Sequence, residues 1–237
     1  MEEHCIKIIY GGKIKKYLLN HLRDLKITLN EFEFDNGLVK PIEIFIRPTN
    51  HVYTRALQGD DNISVLKESN SLIIKYEHES HDTYIYKRDM RGNKIISCEK
   101  RVFCPKKYHS SLLLPVFVES LQSNFKKTCV LANKGDDKTC LCAHITLPEP
   151  YGYNDIYLVF FKLHKVNSQK INMIIETAFI VDKSNYRIDL LGKKNNTKNL
   201  FVIIKNVFSG RLPFEGRSIK SSKKKYKKLK NIRKKKK

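Results

Sequence analysis

One carboxylate stands inside an otherwise apolar run, INMIIETAFIV, at residues 171–181. Alternation along a strand places this residue, Glu176, on a face with Asn172, Ile174, Ala178 and Ile180, and the opposite face carries Ile171, Met173, Ile175, Thr177, Phe179 and Val181. A lone carboxylate among apolar side chains is unfavourable unless another group pairs with it. The preceding run, YLVFFKLH, offers Lys162 and His164 across a hairpin. We therefore expect Lys162 or His164 to lie opposite Glu176.

Two interpretations of this hairpin follow. In the favoured one, Glu176 pairs with Lys162 at a partly solvated rim and contributes only structural specificity. In the alternative, Glu176, His164 and Lys162 cleave RNA without metal, because this reaction needs a base, an acid and a cation beside the charged phosphorane. The hairpin resembles the small antiparallel sheet of bacterial ribonuclease toxins, although no residue motif supports the comparison. A toxin-like ribonuclease is therefore the alternative function.

Basic residues interleaved with aromatic ones form a second candidate group. The segment RPTNHVYTR offers Arg47, His51, Tyr53 and Arg55. Two later segments, YKRDMRGNK and EKRVFCPKKYH, add Arg88, Arg91, Lys100, Arg101, Lys106 and Lys107 beside tyrosines. Cations that contact phosphates and rings that stack on bases are typical of a groove for single-stranded nucleic acid.

The charge distribution favours the same partner. The chain has a formal net charge of +22, and residues 217–237 hold 13 Lys and Arg without any Asp or Glu. The remaining residues, with 33 basic against 24 acidic side chains, are also basic. A lysine run neutralises phosphates without reading bases, and the lysines predicted to do so are Lys223, Lys224, Lys225, Lys227 and Lys228.

The main prediction is therefore a protein that binds RNA or DNA without sequence preference. The tail lacks an apolar face that would anchor it to a bilayer, so we predict no membrane partner. A structural or interaction protein whose tail only increases solubility is a third hypothesis. The oligomeric state is left open.

The cysteines do not have the spacing of a common metal site. Cys98, Cys104, Cys140, Cys142 and His144 include ligand types suited to zinc, but C-x5-C and C-x-C are unusual spacings for it. We predict no metal and no other cofactor. No Walker loop, HExxH or GxSxG is present. The acidic start MEEHC is unlike a secretory signal, and no apolar run approaches the ~20 residues of a membrane span, so we expect a cytoplasmic protein with reduced thiols.

Residue patterns in the first half predict mainly strands. HCIKIIY is a predicted strand, and Ile14, Tyr17, Leu18, Leu22 and Leu25 predict an amphipathic helix after it. DNG predicts a hairpin between ITLNEFEF and LVKPIEIFI, with Pro41 indicating an edge or a bulge. Residues 47–62 are predicted to form a loop, followed by four short strands in ISVLK, SLIIKYE, TYIYKRD and KIISC.

The second half predicts one helix and several buried strands. Leu114, Phe117, Val118, Leu121 and Phe125 recur at helical spacing, with Ser110 or Ser111 as the cap and Pro115 in the first turn. TCLCAHITL, DIYLVFFKLH and INMIIETAFIV are predicted strands, the last two central, and NLFVIIKNVF is a strand or a short helix. The predicted fold is an α+β body at 1–216, mostly antiparallel sheet with one or two packed helices, with a possible sub-boundary near 98–110 and a disordered basic tail at 217–237.

Overall fold

The computed structural model describes residues 4–73, 86–88, 94–96, 100–132, 141–146, 155–191 and 197–214. The strands in these ranges are β1 (Cys5–Tyr10), β2 (Lys13–Leu18), β3 (Lys26–Glu33), β4 (Val39–Pro48), β5 (Thr54–Ala56), β6 (Leu72–Ile73), β7 (Tyr86–Arg88), β8 (Lys94–Ile96), β9 (Arg101–Phe103), β10 (Cys129–Ala132), β11 (Leu141–Thr146), β12 (Asp155–Lys165), β13 (Lys170–Asp182) and β14 (Thr197–Asn199). The helices are α1 (Ile63–Glu68), α2 (Pro105–Ser111), α3 (Leu114–Asn124), α4 (Tyr186–Leu191) and α5 (Leu200–Phe208).

The main sheet of the described chain has seven strands in the order β14-β10-β11-β12-β13-β4-β3. Its neighbours are antiparallel except for β4 and β13, which run parallel. Smaller sheets pair β1 with β2, β5 and β6 with β9, and β7 with β8. The prediction of an α+β fold with mostly antiparallel strands is confirmed.

One face of the main sheet packs against helices. Side chains of α3, such as Phe117 and Leu121, and of α5, such as Ile203 and Ile204, join Ile44 and other inward residues of β4, β12 and β13 in one buried cluster. The opposite face is covered over part of its length by α4, whose Leu191 packs with Leu158 and Phe160. The predicted helix at 114–125 and the central position of β12 and β13 are confirmed.

The predicted helix at residues 13–26 is wrong. Gly11 and Gly12 both have positive φ, as a two-residue type I′ turn requires, and they fold β2 back onto β1. A turn of 3-10 helix follows at Asn20–Leu22. The apolar residues had helical spacing, but pairing with β1 and burial of Tyr17 on one face of the hairpin decided the structure.

The hairpin around DNG is confirmed as β3 and β4. Their pairing shifts between Leu29 and Phe32, which lie opposite Ile42 and Lys40, so Pro41 sits at a bulge as predicted. The strand that contains Pro41 is nevertheless internal, and β3 forms the edge. Parallel pairing of β4 with β13 begins only at Glu43, beyond the proline, so the missing N–H is tolerated.

The predicted loop at residues 47–62 is interrupted by strand residues at 47–48 and 54–56. The segment begins as the end of β4, continues through a 3-10 turn at Asn50–Val52, and pairs as β5 with β9. Next, ISVLK forms α1 instead of a strand, because the Asn62 side chain accepts hydrogen bonds from the N–H groups of Ser64 and Val65. Polar residues of this segment therefore cap a helix and connect secondary-structure elements through hydrogen bonds.

Other element predictions have mixed outcomes. β6, β7 and β8 are confirmed as strands, and the rest of their predicted segments lies outside the described residues. Neither Ser110 nor Ser111 caps α3; both belong to α2, where their hydroxyls donate to backbone carbonyls one turn earlier. Pro115 does lie in the first turn of α3. NLFVIIKNVF contributes α5, capped by the Asn199 side chain.

The division of β13 into two faces changes at Glu176. In the β12–β13 pairing, Phe160 lies opposite Thr177 and Phe161 opposite Ile175, so Glu176 is an extra residue in a β-bulge. Beyond it, Ala178 joins the helix-side core with Met173, whereas Phe179 packs on the α4 side. The predicted faces are therefore correct up to Ile175 and exchanged after the bulge.

The predicted tail at 217–237 lies outside the described residues. Within the predicted sub-boundary near 98–110, residues 100–110 are described and run from β9 into α2. Among the helices of the described ranges, none is long and apolar enough to span a bilayer.

Candidate nucleic-acid interface

Basic side chains share the sheet face that points away from α3 and α5, next to the area covered by α4. Because Ile44 and Ile46 point into the helix-side core, Phe45 and Arg47 on β4 point the other way. Across the sheet, Arg47 lies in register with Ile174 and Lys162, and Phe45 with Asn172 and His164. We call this surface the basic face and define it by Lys26, Glu43, Phe45, Arg47, Lys162, His164, Lys170 and Glu176.

One acid of the basic face is held between two lysines. Glu43 lies 3.4 Å from Lys26 Nζ and 3.4 Å from Lys170 Nζ. The hydrogen bond from Lys26, with a smaller contribution from Lys170, lowers the pKa of Glu43 against the opposing effect of desolvation. Both lysines are about half exposed, so the pairs are screened and their ammonium groups remain accessible to solvent.

An aromatic ring lies among these cations. The Arg47 guanidinium is 5.6 Å from the centroid of the Phe45 ring, and Lys170 Nζ is 5.5 Å from it. Cations at this distance are attracted to the ring by its quadrupole. The ring therefore helps to position Arg47, which is exposed, over the sheet surface.

The three predicted catalytic residues occupy two rows of the sheet face. Glu176 Oε1 lies 3.3 Å from Lys162 Nζ, with side-chain exposures of 16% and 23%. This ion pair is the contact that the structural interpretation requires. His164 lies opposite Asn172, two residues along β12 from Lys162, on the same face of the sheet. The structure therefore brings Lys162 to Glu176 by direct contact and places His164 in the next row.

The bulge at Glu176 is joined to the segment that follows β4. Thr49, which is fully buried, donates its hydroxyl to the Glu176 carbonyl at 3.2 Å. Lys107 Nζ donates to the His51 carbonyl at 2.6 Å and to Thr177 Oγ1 at 3.1 Å. Two groups of sequence candidates, His51 with Lys107 and Glu176 with Lys162, thus meet at one bulge.

Arg55 is held in a local ion pair. Its two terminal nitrogens each lie 2.6 Å from an oxygen of Asp61, and Asp61 also accepts from the Gln58 N–H. The hydrogen bonds from Arg55, and then the one from Gln58, lower the pKa of Asp61 to about 2. The guanidinium thus closes the turn that leads into α1, and we leave it out of the proposed interface.

Two other predicted contact residues are buried. Arg101 is 6% exposed and donates to the hydroxyl and the carbonyl oxygen of Thr54. Tyr53 is also 6% exposed and belongs to the helix-side core. Because both side chains are buried, neither Arg101 nor Tyr53 is part of the proposed interface.

Of the remaining predicted residues, some are exposed and others lie wholly or partly outside the described part of the chain. Lys100 and Lys106 are exposed at β9 and α2. Arg88 ends β7, whose backbone alone is described. Arg91 and the predicted tail lysines, Lys223, Lys224, Lys225, Lys227 and Lys228, lie outside the described residues.

Sequence reasoning missed several members of this surface. Lys26, Phe45 and Lys170 were not selected, although each flanks an apolar core residue in a predicted strand. Arg187 of α4 was also missed; its guanidinium lies 5.4 Å from the centroid of the Phe160 ring, two residues before Lys162 on β12. Alternation within β4 was the available indication for Phe45 and Arg47, whereas only the tertiary structure places Arg187 nearby.

No group of three or more potential metal ligands occurs within the described part of the chain. Of the zinc candidates, Cys104 precedes α2 and His144 lies on β11. Cys98 and Cys140 lie outside the described residues.

Comparison with known proteins identifies a family for this chain. The model described as the YjaZ family matches residues 7–208, which extend from β1 to the end of α5. No curated protein and no solved structure matched the chain. Because the match covers most of the sequence, the chain belongs to the YjaZ family.

Proposed function

We propose that this YjaZ family protein binds RNA or DNA through the basic face, with residues 217–237 adding affinity that does not depend on sequence. The observation that carries the proposal is the row of cations across neighbouring strands. Arg47 and Lys162 lie two strands apart, about 10 Å, from the usual spacing of strands in a sheet. Lys26 and Lys170 extend the same surface.

The electrostatics of the basic face suit a polyanion. Four Lys and Arg side chains against two carboxylates give the face a positive balance, and each carboxylate already contacts a lysine. A phosphate that approaches Lys26 or Lys170 competes only with solvent-screened ion pairs. Release of the counterions condensed on the nucleic acid then favours binding.

The Arg47 guanidinium offers a second kind of contact. Guanidinium planes stack on unpaired bases in protein complexes with single-stranded nucleic acid. With Phe45 beneath it, Arg47 loses less conformational freedom when a base stacks on its outer side. The proposal therefore favours single-stranded over duplex ligands.

The test is a salt series of binding to a fluorescent 20-nucleotide single strand. We expect Arg47→Gln to weaken binding about 3- to 10-fold at low salt and to reduce the slope of log K against log salt by ~0.7, the value for one phosphate contact on a single strand. Arg47→Lys keeps the charge but loses the plane, so it should retain the slope and lose part of the affinity.

Lys126→Gln is the matched control, because Lys126 is exposed after α3, on the other side of the sheet. Equal effects of Arg47→Gln and Lys126→Gln would show that only total charge matters and would remove the basic face from the proposal. Recovery of the intact oligonucleotide after incubation in EDTA separates binding from the ribonuclease hypothesis.

A further inference from the structure

The hairpin of β1 and β2 has one buried face and one exposed face. Ile8 and Tyr17 point into the helix-side core with exposures of 0% and 5%. The residues that alternate with Ile8 along β1 and with Tyr17 along β2 point outward: Lys7, Ile9, Ile14, Lys16 and Leu18. We call these five residues the outer hairpin face.

Large apolar side chains are exposed on this face and at the turn. Ile14 is 65% exposed, Leu18 44% and Ile9 36%, and Tyr10 beside the turn is 49% exposed. Ile9 and Ile14 lie directly opposite each other in the pairing and form a continuous aliphatic row. Contiguous exposed apolar side chains, unlike isolated ones, mark a surface that interacts with a protein, a membrane or a ligand.

The charged side chains within β1 and β2 all have one sign. The hairpin carries Lys7, Lys13, Lys15 and Lys16, and residues 4–23 contain no Asp or Glu. Lys7 lies opposite Lys16, in the row next to Ile9 and Ile14. The partner must therefore present negative charge and apolar material within a few ångströms of each other.

We propose that the outer hairpin face binds the surface of an anionic lipid bilayer. The aliphatic row enters the boundary between headgroups and acyl chains. The lysine stems lie along the apolar surface while their ammonium groups reach lipid phosphates. The prediction of no membrane partner rested on the tail alone, with this hairpin interpreted as a helix.

Other occupants explain the surface less well. A second copy of the chain stacked face to face would bring two sets of lysines together. Nucleic acid would accept the lysines but would leave the aliphatic row in water, unless the side chains wedged between bases. Of these three occupants, the bilayer satisfies both kinds of side chain.

The hairpin is held rigidly enough to present this surface. The Ile9 N–H donates to the Ser69 carbonyl, the Asn70 side chain donates to the Lys7 carbonyl, and the Tyr108 hydroxyl donates to the Leu18 carbonyl. The first two contacts attach the end of α1, whose Ile63 and Val65 are also exposed. Lipid binding thus requires little rearrangement of the backbone.

The experiment uses the full chain and exploits its lack of tryptophan. Ile14→Trp introduces one fluorophore into the outer hairpin face, and Val166→Trp places a matched one at another exposed turn. With vesicles containing 30% phosphatidylserine, we expect a blue shift and quenching by brominated acyl chains for Ile14→Trp and neither for Val166→Trp. Absence of quenching at position 14 would overturn the proposal.

A second variant separates the hairpin from the basic tail. Ile9→Ser with Ile14→Ser leaves every charge in place and should lower the vesicle partition coefficient at least fivefold, while oligonucleotide binding is unchanged. Equal partitioning of this variant and the wild type would show that charge alone attracts the vesicles. Loss of oligonucleotide affinity would favour nucleic acid, and a fall in molecular mass by light scattering would favour a second copy; either contradicts the lipid proposal.

Discussion

Residue type alone did not separate a surface arginine from a structural one. Arg47 and Arg101 both stood in basic segments with aromatic neighbours. The first is exposed over Phe45, whereas the second is buried with its guanidinium bonded to Thr54. Their different roles follow from position: Arg47 points outward from a central strand, and Arg101 lies between β5 and β6.

His144 provides a residue-scale prediction about pH. Its Nδ1 is buried without a hydrogen-bond partner among the described residues, and desolvation lowers the pKa of His144. The unfolded chain therefore binds a proton more readily than the folded chain does. The contribution of neutral His144 to the free energy of unfolding is complete above the unfolded pKa of about 6.5 and is lost as pH falls below it. We expect the free energy of unfolding in urea to be lower at pH 5.5 than at pH 7.5.

The variant His144→Leu should reduce this pH dependence without loss of stability at pH 7.5, because it removes the uncompensated nitrogen beside Leu158. His109→Gln, at an exposed position, is the control for the removal of a histidine. Burial also lowers the pKa of His21, so some dependence should remain in the His144 variant. An unchanged pH profile in His144→Leu would contradict the assignment.

At the scale of elements, local irregularities determine which residues meet. The bulge at Glu176 exchanges the faces of β13, so that Phe179 packs under α4 and Ala178 faces the helices. The same bulge is bonded through its carbonyl to Thr49. The bulge therefore places Glu176 beside Lys162 and bonds the backbone of Glu176 to the segment that follows β4.

The β1–β2 turn gives a test of the hairpin. Gly12 has φ of +75°, where an L side chain is strained even though open space surrounds its Cβ position. We expect Gly12→Ala to lower the free energy of unfolding by about 1–2 kcal/mol.

Gly59→Ala is the matched control for this turn. Its surroundings are also open and its φ is not in the strained region, so its stability should change by less than about 0.5 kcal/mol. Chemical denaturation of the three proteins measures both effects. Greater stability of Gly12→Ala than wild type would contradict the left-handed conformation of this turn.

At the scale of the whole molecule, positive charge is divided between the folded part and the last residues. Removal of residues 217–237 takes away 13 basic side chains and no acid. We expect this truncation to reduce the slope of log K against log salt by several units, at ~0.7 per single-strand phosphate contact. The remaining protein should still bind with a measurable slope, and Arg47→Gln should weaken it further.

Circular dichroism of the truncated protein confirms folding before binding is measured. If the truncated protein binds no oligonucleotide even in dilute buffer, the basic face has no role and only the tail contacts nucleic acid. If truncation changes nothing, the tail is a solubility device, as in the third hypothesis. The two results separate the two parts of the proposed function.

The sequence by itself determined the features that depend on composition and local pattern. These include the α+β class, the DNG hairpin, the buried strands of β12 and β13, and the helix at Leu114–Asn124. Each follows from periodic burial or from turn residues that have one favourable conformation. The pairing of Glu176 with Lys162 was also within reach, because hairpin strands bring nearby residues together.

Only the tertiary structure decided which polar residues are buried and which form the basic face. The apolar residues at 14–25 satisfy helical spacing, yet pairing with β1 places Ile14, Tyr17 and Leu18 in a strand, because long-range hydrogen bonds and burial of Tyr17 outweigh a weak local preference. Parallel pairing of β4 with β13 placed Arg47 in register with Lys162, residues 115 positions apart in the chain. A pattern of neighbours in sequence contains no information about such a contact, because its energy depends on strands that meet only in the folded sheet.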